Sequence, residues 1–319
     1  MLPPPAVLAR LDATVRFVMR DQRIGGLVVG VRRGGVTVFV RGYGYADRAH
    51  RRRANAQTVF AIGSLTKSFT AALVRGELQP DDALARYVPS YPNAREITID
   101  ELLRGTAGIP DYTDASTFDR SSREPVAPQA YVARLAATPP AFAPGTDSSY
   151  SNGNYLLAAY AYQCATGVPY AQALQRHILR PLGLERTAVA NPFVPQTNRA
   201  TGSEPQGSAT LGFGTADLQS DVPDLLAWYA ALDAGTVVKT PRYLPQYADG
   251  FYDGTAFDQP IRFAQGYVAG FSAYGATLLK SHASVVVLAN QDAVDLDPLA
   301  RTALALTLGL PEASPKGAR

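Results

Sequence analysis

Strand-forming runs stand at the two ends of this 319-residue chain and helix-forming runs fill its middle, an order that few architectures accommodate. Near the N-terminus, "GLVVGVRRGGVTVFVRGYGYA" gives two β-rich runs around Arg32-Arg33-Gly34-Gly35, the pattern of a hairpin. Near the C-terminus, "GYVAGFSAYGATLLKSHASVVVLANQD" gives further β-rich runs with short turns. Between them, "ITIDELLRGTAG", "APQAYVARLAATPP", "NYLLAAYAYQCATG", "YAQALQRHILRPLG" and "DVPDLLAWYAALDAG" carry apolar residues at helical spacing and stop at Gly or Pro. Helices are also expected at about residues 6 to 21 and 296 to 308.

Strands that flank a helical block have to pair across nearly the whole chain. The reading is therefore an α/β (α+β) chain: an antiparallel β-sheet built from both ends and flanked by helices, with an inserted all-helical lobe. With 46% hydrophobic and 18% charged residues, the chain can bury a large core. We expect one domain over residues 1 to 319, with a sheet lobe at about 1–75 and 236–319 and a helical lobe at about 76–235.

Charge and cysteine content exclude several functions. A formal net charge of +3 is spread along the chain, and its one basic cluster, "RAHRRRA" (48 to 54), reads as a solvated loop, so no nucleic-acid partner is expected. The single cysteine, Cys164, cannot form an intramolecular disulfide and is expected to be a buried core thiol. No apolar run reaches the roughly 18 residues that span a bilayer, and the N-terminus lacks a charged segment followed by an apolar one. We expect a soluble protein, cytoplasmic or exported with its signal removed, and the sequence leaves its compartment and oligomeric state open.

In "AIGSLTKSFTAALV", Ser64 stands three residues before Lys67 at the start of a helical pattern, on the same face and within reach of it. A serine hydroxyl needs a neighbouring base, and a lysine serves only when its amine is neutral; burial and a helix N-terminus both favour that form. The alternative is a helix cap followed by a solvated lysine. A second titratable group usually shares proton transfer, and a tyrosine beside a lysine ammonium would have its pKa lowered. Tyr150-Ser151-Asn152 offers one such tyrosine and Tyr91-Pro92-Asn93 another, and spelling alone does not choose between them. A serine triad is disfavoured, because no Gly-x-Ser-x-Gly elbow occurs and Gly270-Phe271-Ser272-Ala273-Tyr274-Gly275 reads as strand. His50 lies in the Arg-rich loop, His177 on the apolar face of a helix and His282 near a strand turn; they show no metal-ligand spacing, so neither a metal nor a cofactor is expected.

Taken together, "TVFAIGSLTKSFTAALV", "ITIDELLRGTAGIPDY", the stretch from "PGTDSSYSNGNYLL" to "RPLGLERT", and "GFSAYG…SVVVLANQD" resemble the class C β-lactamase and serine esterase family, which includes penicillin-binding DD-peptidases. The resemblance runs in order from about residue 20 to 308. It implies Ser64 as nucleophile, Lys67 and Tyr150 as the groups that deprotonate it, and Asn152 as a hydrogen-bonding residue for Lys67 and substrate. Tyr91 falls where the family has an ordinary linker.

Two departures stand out. The family's third element, Lys-Thr-Gly or His-x-Gly six residues before a Gly-Phe pair, falls here on Ala264-Gln265-Gly266, and its basic residue is missing. Lys239-Thr240 and Lys280-Ser281 are out of register. The N–H of Tyr267 with that of Ser64 can still form an oxyanion hole, since main-chain donors do not depend on side-chain identity. Arg262, two residues upstream on the same strand face, is a candidate replacement for the cation. The second departure is Gly76, which ends the helix after Lys67 four or five residues earlier than usual, so packing at 72 to 80 is expected to differ. The reading that follows is a serine hydrolase forming an acyl-enzyme on Ser64, most simply a carboxylesterase on small neutral esters. Its alternatives are a β-lactamase or D-alanyl-D-alanine carboxypeptidase, an acyltransferase or amidase, and a non-catalytic binding protein of the same fold. The loops "TDASTFDRSSREP" and "NPFVPQTNRATGSEPQ" are expected to line the pocket.

Overall fold

The computed structural model describes residues 3–115, 118–119, 124–190, 198–204, 208–237 and 247–311. Lys239-Thr240, most of the tail, and parts of both loops named above lie outside the described residues. In chain order the elements are α1 (Pro5–Asp21), β1 (Gly26–Arg33), β2 (Val36–Asp47), β3 (Arg52–Arg53), β4 (Phe60–Ala61), α2 (Thr66–Arg75), α3 (Ile99–Arg104), α4 (Pro128–Ala136), α5 (Asn152–Thr166) and α6 (Tyr170–Leu174). Then follow β5 (Ala188–Val189), β6 (Leu218–Ser220), α7 (Val222–Asp233), β7 (Tyr247–Ala248), β8 (Phe251–Ala256), β9 (Gln259–Val268), β10 (Phe271–Leu278), β11 (Ala283–Ala289) and α8 (Asp297–Leu308).

The two chain ends meet where expected. Eight strands form one sheet in the order β3-β2-β1-β11-β10-β9-β8-β7, and β1 pairs antiparallel with β11 from Leu27↔Ala289 to Arg33↔Ala283. The β1–β2 hairpin closes through Gly34 and Gly35 at φ 54° and 81°, a left-handed pair that residues with a Cβ seldom adopt. Side chains alternate across the sheet with period two. Leu27, Val29, Val31, Val285 and Val287 face one core, closed by Leu11 and Val15 of α1 and by Leu299, Ala303 and Leu304 of α8. Val28, Val286, Leu288, Ala264 and Ala273 face the other, closed by α2, α5 and α7. Because both faces are covered, β11 reads as an unbroken buried run.

Smaller devices place the site between these parts. A second sheet, β4-β6-β5, sets Ala61 opposite Gln219, and the Ile62 N–H donates to the Leu218 carbonyl at 3.1 Å. The start of α2 is thereby fixed to the segment before α7. A capping box, Thr98 with Glu101, starts α3, and Ser151 caps α5 by accepting from the Gly153 N–H. The early stop of α2 at Gly76 leaves Ala72, Leu73, Val74 and Leu78 buried.

Two expectations are corrected. Cys164 is exposed, not a core thiol: α5 is buried on nearly every side from Gly153 to Tyr162, but its last turn emerges into solvent. His177 is likewise exposed, in the π-helical turn Gln175–Leu179 that continues α6 and rotates it away from the apolar face. Among the described residues, no helix is long and apolar enough to cross a membrane.

Candidate active site

Ser64 lies in the 3₁₀ turn Gly63–Leu65 that runs into α2, and α2 is buried along almost its whole length. Trp228 of α7 stacks on Phe69 with ring centroids 4.1 Å apart and donates its indole N–H to Ser68 Oγ at 2.9 Å, so the helix is gripped from the sheet side. Lys67 is consequently 1% exposed.

The Lys67 Nζ has three hydrogen-bond contacts: Ser64 Oγ at 2.9 Å, Asn152 Oδ1 at 2.7 Å and the Thr215 carbonyl at 3.1 Å. Those match the three N–H donors of an ammonium. In a neutral amine, two donors serve Asn152 and Thr215 and the lone pair remains for the Ser64 hydroxyl. Burial favours the neutral amine, lowering the pKa to about 7, against the opposing pull of Asp111 and Asp217.

Tyr150 OH lies 2.7 Å from Ser64 Oγ. The residue is 38% exposed. Burial pushes its pKa upward, with the Ser64 hydrogen bond opposing and the Asp111 charge reinforcing the shift. This corrects the expectation of a lowered pKa: desolvation of the phenol is the largest influence on it, and Lys67, 4.9 Å from the ring, does not offset that burial.

Asn152 is held by a residue the sequence reading missed. Asp111 accepts from the Asn152 backbone N–H at 3.0 Å and from Nδ2 at 2.9 Å. A carboxylate only accepts, so the amide nitrogen must face Asp111 and Oδ1 must face Lys67. The other candidate tyrosine, Tyr91, is buried in the core among apolar neighbours.

Opposite the serine, β9 approaches backbone to backbone. A Cβ on Gly266 would fall 2.1 Å from the Ile62 carbonyl oxygen, and one on Gly63, at φ 51°, 2.7 Å from the Tyr267 nitrogen. Only glycines allow this contact, which brings the backbones around Ser64 and Tyr267 together at the mouth of the site. Ala264 is 2% exposed and packed into the core, and Gln265 is half-buried. Arg262 does not replace the missing cation: it makes a bidentate pair with Asp253 across the β8–β9 ladder, at 2.8 and 3.1 Å.

The cleft in front of Ser64 encloses about 460 Å³. Asn152, Tyr112, Phe118, Arg199, Asp217 and Tyr267 are among its walls, and none of the three histidines lines it. His50 pairs with Asp47 and His282 with Asp233 instead. Among the described residues, no group of three His, Cys, Asp or Glu side chains could hold a metal ion.

A sequence model of the Beta-lactamase family matches residues 11–309. The chain belongs to the Beta-lactamase family. A D-aminopeptidase of Brucella anthropi is 29% identical over 245 residues, covering 71% of this chain and 46% of that protein. The chain thus spans about half the length of that relative. Two solved structures share the fold. The D-amino acid amidase of Ochrobactrum anthropi SV3, complexed with L-phenylalanine amide, superposes with TM-score 0.82 at 20% identity over 94% of this chain and 99% of that one. The octameric penicillin-binding protein homologue of Pyrococcus abyssi gives 0.80 at 24% identity over 96% and 78%.

This Beta-lactamase family member brings Ser64, Lys67, Tyr150 and Asn152 into one hydrogen-bonded run; spacing pointed to Ser64 and Lys67, and the resemblance alone to Tyr150 and Asn152. Asp111, Thr215, Asp217 and Arg199 were not flagged. Asp111 carried a faint signal, standing just before Tyr112 in "GIPDYTD" as a cap that accepts from the Thr113 N–H. The glycine at the β9 contact makes a direct test. Gly266→Ala is expected to lower the unfolding free energy by about 1 to 3 kcal/mol, the usual cost of overpacking, and to slow covalent labelling of Ser64. Thermal melts check it, and an unchanged melting temperature would show that β9 can recede from the Ile62 carbonyl.

Proposed function

We propose that this protein is a serine hydrolase that works through an acyl-enzyme on Ser64, with small neutral esters as its leading substrates. The observation that carries the reading is a buried lysine, its pKa lowered to about 7, with its amine 2.9 Å from the serine hydroxyl. A neutral Lys67 accepts the Ser64 proton as Oγ bonds to the carbonyl carbon. The N–H groups of Ser64 and Tyr267 receive the developing oxyanion. Tyr150 gives its proton to the leaving oxygen as the carbon–oxygen bond breaks, and the Lys67 ammonium passes the proton it took from Ser64 to the Tyr150 phenolate, which leaves the phenol protonated and the amine neutral. In deacylation, water loses a proton to the same pair, attacks the acyl carbon, and Ser64 recovers its hydrogen. Asn152, oriented by Asp111, keeps the lysine aimed at Ser64 throughout.

The preference for neutral esters rests on β9, where Ala264 replaces a cation and Arg262 is paired with Asp253, so this strand offers no charge to a substrate carboxylate. A second reading, hydrolysis of amino-acid amides, is favoured by the D-aminopeptidase relative. The test is incubation with p-nitrophenyl acetate, D-phenylalanine amide, nitrocefin and a fluorophosphonate, following turnover and intact mass. One adduct on Ser64 with fastest turnover of the ester is expected. Faster turnover of the amide replaces the ester reading with the second. Nitrocefin turnover at comparable efficiency overturns both, and no adduct with no turnover points to a binding protein.

A further inference from the structure

The turn that receives Lys67 also carries a carboxyl group that the scheme above leaves unused. Thr215 accepts from Lys67 Nζ, and two residues further on Asp217 is 3% exposed at the wall of the cleft. Its Oδ2 accepts the Gly214 N–H at 3.1 Å, while its buried Oδ1 has no hydrogen-bond partner among the described residues. A carboxylate shut away from water with one oxygen unsatisfied is costly unless a cation compensates it. Lys67, equally shut away, is the cation that acts on it, and each group favours the charged form of the other.

We propose that Asp217, buried on the turn that receives Lys67, is a positioning residue whose charge sets how readily Lys67 accepts the proton of Ser64; the proposal rests on the acyl-enzyme reading. Burial raises the Asp217 carboxyl to about 7 and lowers Lys67 to about 7, and the charge of each favours the charged form of the other. Asp217 also faces the phenols of Tyr112 and Tyr170, whose ionisation its charge opposes. Lys67 in turn faces Asp111, which shares the task of favouring the ammonium, and the rings of Tyr150 and Tyr155. When Ser64 passes its proton to Lys67, a cation appears on a buried side chain, and an ionised Asp217 offsets it.

Asp217→Asn removes the charge and keeps an acceptor for the Gly214 N–H. The rate at which a fluorophosphonate labels Ser64, followed from about pH 5 to pH 9, falls on the acid side as Lys67 becomes protonated. In Asp217→Asn that limb is expected to move to lower pH by about half a unit or more, because an anion that favours the ammonium is gone. Asp217→Ser, smaller and uncharged, is expected to move it the same way and serves if the amide does not fold, with thermal melts reporting folding. A limb that stays in place or moves upward in a folded variant overturns the role of Asp217. A wild-type protein that is not labelled at any pH overturns the acyl-enzyme reading instead, so the two failures are distinguishable.

Discussion

Lys67→Met is expected to lower kcat/KM by about 10³-fold or more, because the hydroxyl of Ser64 loses its proton acceptor while the binding surfaces stay in place. In the wild type, kcat/KM should rise with pH through a limb near 7, where burial sets the lysine, and the residual activity of the variant should lack that limb. Stability supplies an independent reading of the same pKa. The amine titrates at about 7 in the folded chain and at its ordinary 10.5 once unfolded, so between those values the unfolded chain binds more protons. Folding is therefore penalised fully below pH 7, and the penalty fades as pH rises toward 10.5. Methionine carries no such penalty, although it leaves Asn152 Oδ1 and the Thr215 carbonyl without a donor at every pH. Relative to the variant, the wild type should gain on the order of 3 kcal/mol between pH 7 and pH 10. Denaturant unfolding at the two pH values measures it. A gap that does not change would mean that Lys67 keeps its charge in the folded protein.

What was legible in advance is what local pattern encodes. The β1–β2 hairpin announced itself through Gly34-Gly35, α1 and α8 through their amphipathic spacing, and the pairing of β1 with β11 through the position of strands at both ends. Ser64 and Lys67 lie one helical turn apart, so their meeting needed no tertiary information. What was illegible depends on partners far along the chain or on backbone atoms. The Thr215 carbonyl is 148 residues from Lys67 and, as a main-chain acceptor, has no residue-type signature. Strands β4, β5 and β6, of two or three residues, are too short to show alternation. Arg262 was placed on the correct face by period two, yet its function was decided across the ladder by Asp253. Cys164 was misjudged because α5 is apolar on nearly all sides, which leaves no polar face from which to read its emergence.

Tyr150→Phe is expected to slow turnover by about two orders of magnitude or more, the usual contribution of a general acid or base, whereas Tyr91→Phe should be nearly silent. Both substitutions delete one hydroxyl, and their environments separate them: the Tyr150 OH touches Ser64 Oγ at 2.7 Å, while Tyr91 is walled into the helical core. The raised pKa of Tyr150 decides which kind of catalysis is lost. A phenol held protonated by burial is poorly suited to pull a proton from Ser64, and Lys67 is better placed for that. The phenol is suited to donate, toward a leaving group whose negative charge grows as the tetrahedral intermediate collapses. The deficit in Tyr150→Phe should therefore grow with leaving-group basicity: modest for p-nitrophenyl esters, whose phenolate departs without help, and largest for alkyl esters and amides. Rates of one acyl group with a graded series of leaving groups measure this dependence. A deficit equal across the series would assign Tyr150 to the activation of Ser64 rather than to the departing oxygen, and a large loss in Tyr91→Phe would overturn the choice between the two tyrosines.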